Sequence, residues 1–406
     1  MQKVKIGLYG ILGVYNYGCE AIVRGTYRLI KKAYPDCEIT LYTFCLEYDQ
    51  EKLADIDIKI QKVPMNKFLL CRRIINKLLR IMEVNLQLSI VNAKEVARKC
   101  DLIFSIGGDI YAIPQFILDA KVETKYSSIV EFGKTVLRQK PLVIFGASMG
   151  PFGNKSKVKR YYFDHLKTAT IIFCREVGTY SYLKNNMVTN NIQLSPDPAF
   201  FVKEKIIGNK FTKASRFRIA LNLSPLSLLA LFGKSNESFM ADLVESICHI
   251  VDIPDIEVVF IPHVVSPLSE ADNDLVFLKN IIEMIPSQYR SSISLFETSK
   301  GFLETKEYLK TCDMVIAARM HCAINAICEA IPTIFLTYSK KAIDMSQYIY
   351  GDTKWAISLL EIKNELKIKA QEMLENRYDI SNQIAKRLDE INEDEARIVE
   401  ILKKMI

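Results

Sequence analysis

A series of short apolar runs, each closing on glycine or a polar side chain, most constrains what this chain can fold into. Residues 5–10, Leu102–Ile106 before Gly107-Gly108, Leu142–Phe145 before Gly146, and Ile171–Cys174 before Arg175 all have this form. Such runs are too short for buried helices and too uniformly apolar for half-exposed strands. They read as strands covered on both faces of a parallel sheet. Helical spacing over residues 20–34 and another strand pattern over 39–44 complete a strand–glycine loop–helix–strand opening, the usual start of an α/β domain. In open α/β sheets the carboxyl ends of the strands carry the site. The residues that follow each run are therefore the ones to watch.

The pattern then repeats. Pro196-Asp197-Pro198 closes the first half, and the polar, basic stretch 203–218 reads as a linker. Strand patterns follow at 218–223, 257–262, 292–295, Met314–Ala317 and 333–336, with helical spacing at 238–251, 304–310 and 320–330. The charged tail 359–406 is helical throughout. The fold expected is α/β, with two Rossmann-like domains facing a cleft. Residues 1–205 form the first domain and 215–345 the second, while helices in 350–406 pack back on the N-terminal domain.

Composition narrows the function classes. The 406 residues carry Lys+Arg 54 against Asp+Glu 47, a net charge of +7, too weak and too scattered to argue nucleic acid. The ten cysteines include no C-x-x-C pair, and several sit in apolar runs, which fits a reducing, cytoplasmic setting. The four histidines show no ligand spacing, so no metal site is expected. The N-terminus is already a strand pattern without the apolar core of a leader. No uncharged apolar stretch is long enough to span a bilayer. Residues 67–80 are different in kind. Phe68, Cys71, Ile75, Leu78 and Met82 fall on one helical face, with Lys67, Arg72, Arg73, Lys77 and Arg80 around it. Such a helix either packs on the core with solvated lysines or lies on anionic lipid.

Several candidate site residues stand at strand ends. Arg319 and His321 fall at a strand-to-helix turn, where a guanidinium and free helix N–H groups can hold an anion; the plain alternative is a capped surface turn. Arg175 ends a buried-type strand and either faces the site or pairs with Glu176. Lys340 and Lys341 follow a strand and either meet phosphate or are simply solvated. His263, after Pro262, either touches substrate or is structural. Gly10, Gly13 and Gly18 do not spell a dinucleotide fingerprint, and no P-loop occurs. These glycines, like Gly107 and Gly108, serve either close backbone approach to a substrate or turn geometry.

Five segments in this order resemble the polysaccharide pyruvyl transferase family. They are the glycine loop through Asn16-Tyr-Gly-Cys-Glu-Ala, Ile106-Gly-Gly-Asp, Gly146-Ala-Ser-Met-Gly-Pro-Phe, Arg175 through Tyr182-Leu183 with Pro196-Asp-Pro, and Arg319-Met-His with Pro332 and Tyr338-Ser-Lys-Lys. Together they cover about residues 5–345. One departure is Asp109-Ile110-Tyr111, where the family loop is usually richer in glycine or serine. The resemblance implies a GT-B-type fold, phosphoenolpyruvate as donor substrate with no cofactor, and a saccharide acceptor, polymeric or lipid-linked. The acceptor would be met in the cytoplasm or at the inner membrane face. It also implies addition followed by displacement, with His321 as the acid and Asp109 or another carboxylate as the base. Arg175, Arg319, Lys340, Lys341, His263, Gly13, Asn16, Gly107, Gly108 and Ser148 would bind substrate. Two rivals remain: a GT-B glycosyltransferase using a nucleotide sugar, for which Glu329 is placed to meet a ribose, and a glycan-binding scaffold without activity.

Overall fold

The structure is a computed structural model. It describes residues 3–82, 88–113, 127–203, 215–233, 236–297, 301–338 and 340–406. Most of the expected linker lies outside these.

The chain packs into two compact units. The first comprises Met1–Val14, Ile22–Phe201 and Asp394–Ile406, the second Tyr15–Ala21 and Val202–Glu393. Both are α/β. The first is built on β1 (Lys5–Tyr9), β2 (Glu38–Thr43), β3 (Lys59–Lys62), β4 (Leu102–Ile106), β5 (Leu142–Phe145), β6 (Ile171–Cys174) and β7 (Ile192–Leu194), in the order β3-β2-β1-β4-β5-β6-β7. Every neighbouring pair is parallel. The central strands β4, β5 and β6 are buried at every position, as their unbroken apolar runs require. The edge strands β3 (Lys-Ile-Gln-Lys) and β7 are short and largely solvated. Their shortness hides them in the sequence and leaves the sheet edges little length to pair with another chain.

The second unit is built on β8 (Phe217–Asn222), β9 (Ile256–Phe260), β10 (Ile293–Leu295), β11 (Met314–Ala317), β12 (Thr333–Thr337) and β13 (Ala356–Ser358). Its order is β10-β9-β8-β11-β12-β13, again all parallel. In each sheet the strand order reverses direction once, between β1 and β4 and between β8 and β11. Loops leaving the carboxyl ends at such a point diverge and open a crevice.

Helix α1 (Tyr17–Ala33) begins three residues before the spacing suggested. Asn16 caps it by accepting the Gly18 N–H at 3.0 Å. Gly18 looks like loop punctuation in the sequence but lies inside the helix. Helices α2 (Leu46–Lys52) and α3 (Leu69–Ile81) follow in the first unit. The tail is helical over Ile362–Glu375 and Arg377–Lys403. Its extent differs from the expectation, since the tail up to Glu393 belongs to the second unit and only Asp394–Ile406 to the first. There Glu395 pairs with Arg28 at 2.9 Å and Lys32 at 2.8 Å.

Candidate functional site

The reversal point of the second sheet assembles the strongest constellation. Asn222 ends β8 and is fully buried. Its amide oxygen accepts the Arg319 N–H at 2.9 Å, and its amide nitrogen donates to the Ile261 carbonyl at 2.8 Å. One side chain thereby ties together the loops leaving β8, β9 and β11. Asp274, also fully buried, does the same for charge. One oxygen accepts the backbone N–H groups of His263 and Val264, both at 3.0 Å; the other accepts Arg319 Nε at 3.1 Å and Nη2 at 2.8 Å. Asp272 takes a further bond from Nη2. The guanidinium is thus gripped along its Nε–Nη2 edge, and Nη1 has no hydrogen-bond partner among the described residues. Burial would lower the Arg319 pKa, but Asp274 and Asp272 outweigh that and hold it charged.

His263 is buried against this cation. Its ring meets Tyr17 edge-on at 5.5 Å and Phe302 at 6.1 Å, and its Nε2 has no hydrogen-bond partner among the described residues. Burial, followed by the nearby His321 and Arg319, drives its pKa well below the usual histidine range, so the ring is neutral at neutral pH.

His321 sits in the first turn of the helix Met320–Ile327, directly beneath the start of α1. A Cβ placed on Gly18 would lie 2.5 Å from His321 Nδ1 and 2.6 Å from Cγ. Gly18 is therefore a packing requirement of the imidazole. The entry to α1 is held by Tyr17 N–H donating to the His263 carbonyl at 3.1 Å and Val265 N–H donating to the Tyr15 carbonyl at 3.1 Å. Glu20, buried in the same turn, accepts the Phe302 N–H at 2.8 Å. Arg319, His321, His263 and Asn16 are thus brought together, with Asn16 acting as a helix cap. Lys340 and Lys341 open the helix Lys340–Tyr350 in the same unit. Glu329 is held by Lys306 at 3.1 Å and Lys310 at 3.5 Å, which commits it to an ion-pair cluster.

Arg175 lies in the first unit and is only 4% exposed. Its Nη1 donates to the fully buried Asp197 at 2.8 Å; Nε and Nη2 donate to Ser148 Oγ at 3.1 and 2.7 Å. Glu176 lies 3.3 Å away and accepts from Ser148 at 2.6 Å, while the exposed Asp109 stands 3.8 Å from Nη2. Ser148 N–H donates to the Gly108 carbonyl at 2.8 Å. Arg175 and Ser148 are thus members of a buried charge network, with the Glu176 pairing foreseen from the sequence. Gly10 and Gly107 serve turn geometry: both have φ near +140°, at 137° and 142°, and a Cβ on Gly10 would lie 2.3 Å from the Ile106 carbonyl oxygen. Gly13 is buried in the loop between β1 and α1.

Asn222, Asp274, Asp272 and Asp197 were not assigned roles from the sequence, and Gly18, read there as substrate approach or turn geometry, instead makes room for the His321 ring. Asn273-Asp274 reads there as an ordinary helix start, and Asn273 does cap the following helix. Only the strand order brings Asp274 under Arg319.

The family model for polysaccharide pyruvyl transferase matches residues 16–340, which span both units and include every member of the Arg319 cluster. The chain belongs to the polysaccharide pyruvyl transferase family. As a family member it is a transferase acting on polysaccharide. Among solved structures, Anabaena HepE in complex with UDP-glucose superposes with a TM-score of 0.57 at 12% identity, over 98% of this chain and 100% of that one. The UDP-GlcNAc 2-epimerase from Neisseria meningitidis bound to UDP-GlcNAc gives 0.54 at 12% identity, covering 97% and 100%. That from Methanocaldococcus jannaschii gives 0.55 at 12%, covering 92% of each. At this identity the likeness concerns the fold, a GT-B-like pair of α/β units. Among the described residues no helix is long and apolar enough to cross a membrane.

Proposed function

We propose that this pyruvyl transferase takes its pyruvyl group from phosphoenolpyruvate and places it, as a cyclic ketal, on a sugar of a surface polysaccharide or its lipid-linked precursor. The reading is carried by the Arg319–His321–His263 cluster at the reversal point of the second sheet. A guanidinium with Nη1 open and the first turn of a helix can receive a small, highly charged anion. Lys340 and Lys341, at another helix N-terminus, add cations of the same sign. No cofactor is needed, because the enol phosphate already carries the leaving group.

In this reading His321 gives a proton to the methylene carbon of phosphoenolpyruvate, which becomes a methyl group, and C2 becomes cation-like. A sugar hydroxyl oxygen bonds to C2 as a base, for which Asp109 is the candidate, removes its proton. The C2–O bond to phosphate breaks and inorganic phosphate leaves. A second hydroxyl, losing its own proton, closes the ketal. His263, held neutral, offers Nε2 as a hydrogen-bonding group without adding charge.

The competing reading, transfer from a nucleotide sugar, draws on the UDP-sugars that HepE and the epimerase hold. Its proposed ribose ligand Glu329 is already engaged by two lysines. The test is acceptor-dependent phosphate release from phosphoenolpyruvate, with candidate lipid-linked oligosaccharides, alongside calorimetry with phosphoenolpyruvate and with UDP-glucose. Tight UDP-glucose binding with no phosphate release would replace this reading with the competing one.

A further inference from the structure

Helix α3 is built the wrong way out for a surface helix. Its polar side chains hold it to the protein: Asn76 exchanges two hydrogen bonds with the backbone of Leu88, at 2.9 and 2.7 Å, and Arg72 donates to the Ser89 carbonyl at 3.1 Å. Leu69 and Leu79 share that half-buried face. At 100° per residue the opposite face carries Leu70, Ile74, Leu78 and Ile81, with Cys71, Ile75 and Met82 beside them. These side chains are exposed: Leu70 73%, Ile74 59%, Leu78 52%, Ile81 68% and Met82 69%, preceded by Phe68 at 77%. The helix contains no acidic residue. Arg73 and Lys77, both exposed, border the apolar face on one side.

We propose that α3 is a docking element for an anionic lipid surface, lying in the headgroup plane with Leu70, Ile74, Leu78 and Ile81 among the acyl chains. Charge decides between the possible occupants. A second copy of this face would bring the same cations against one another across a twofold axis. An anionic bilayer meets Arg73 and Lys77 with opposite charge instead. At about 1.5 Å per residue the helix is too short to span the hydrocarbon, so it can only lie on it.

The inference is independent of the donor, because the test contains neither donor nor acceptor. The full chain is sedimented with phosphatidylcholine–phosphatidylglycerol vesicles and with phosphatidylcholine alone, at low and high salt. Binding is expected to the anionic vesicles and to weaken on adding salt. The double variants Ile74→Ser/Leu78→Ser and Arg73→Glu/Lys77→Glu should each lower it by about tenfold or more, with unchanged thermal melts because these side chains are exposed. No binding of the wild-type chain to anionic vesicles at low salt overturns the proposal. So does binding that both double variants retain, or a wild-type dimer that Ile74→Ser/Leu78→Ser converts to a monomer without any vesicle binding.

Discussion

Gly18→Ala probes the proposed chemistry without deleting any catalytic group. The new methyl carbon would sit 2.5 Å from Nδ1 and 2.8 Å from Cβ of His321. Ordinary contacts begin near 3.5 Å, so the imidazole must retreat by about 1 Å. Overpacking of this kind costs about 1–3 kcal/mol, and alanine returns about 1 kcal/mol of helix propensity inside α1. The net loss of stability is therefore small, at most about 2 kcal/mol. The effect on catalysis should be larger. A misplacement of about 1 Å in a reacting group costs about 10²-fold, or about 2.7 kcal/mol of barrier. Deleting a general acid, as in His321→Ala, should lower kcat by about 10²–10⁴-fold. The assay is steady-state phosphate release from phosphoenolpyruvate, with donor calorimetry and thermal melts on each variant. Gly18→Ala should lower kcat and leave donor binding largely intact, and adding it to His321→Ala should do little more. Normal kcat in a folded Gly18→Ala variant would refute the assignment of His321 as the acid.

Three further predictions follow from the buried charges. Arg319→Ala should abolish donor binding but also destabilise by about 3–5 kcal/mol, because Asp274 is left buried without its cation. Adding Asp274→Asn should recover stability without activity, as read by urea denaturation and donor calorimetry. Arg175→Ala should cost a similar amount through Asp197 and Glu176, and the loss should appear in melts of the apo protein. Burial, with Lys134 adding, lowers His165 to about 4. The unfolded chain then binds the proton more readily than the folded one below about pH 6.5. Stability present above that pH should be lost as pH falls toward about 4, by up to about 1.4 kcal/mol per unit. Comparing urea denaturation of wild type and His165→Gln at about pH 7 and about pH 5 isolates the contribution; equal slopes would rule it out.

Much of the architecture was legible along the chain. Runs such as Leu102–Ile106 and Ile171–Cys174 need burial on both faces, and only a covered parallel sheet provides it. The same periodicity marked 67–80 as amphipathic, and it placed Arg319 and His321 at a strand-to-helix turn. The edge strands β3, β7 and β13 escaped notice because strands of only three or four residues, with one or two large apolar side chains each, carry too little burial signal.

Sequence alone determined the elements that a local pattern can encode: the central strands, the helices between them, and the residues at the strand ends. Tertiary structure decided which of those ends meet. Asn222, Asp274 and Arg319 are far apart along the chain, and only the reversal of strand order between β8 and β11 brings them within hydrogen-bonding distance. Which face of α3 points outward was likewise undecided by periodicity, which fixes that two faces exist. The bonds of Asn76 and Arg72 to the chain beside them settled it, because they turn the polar face inward and leave the apolar one to the solvent.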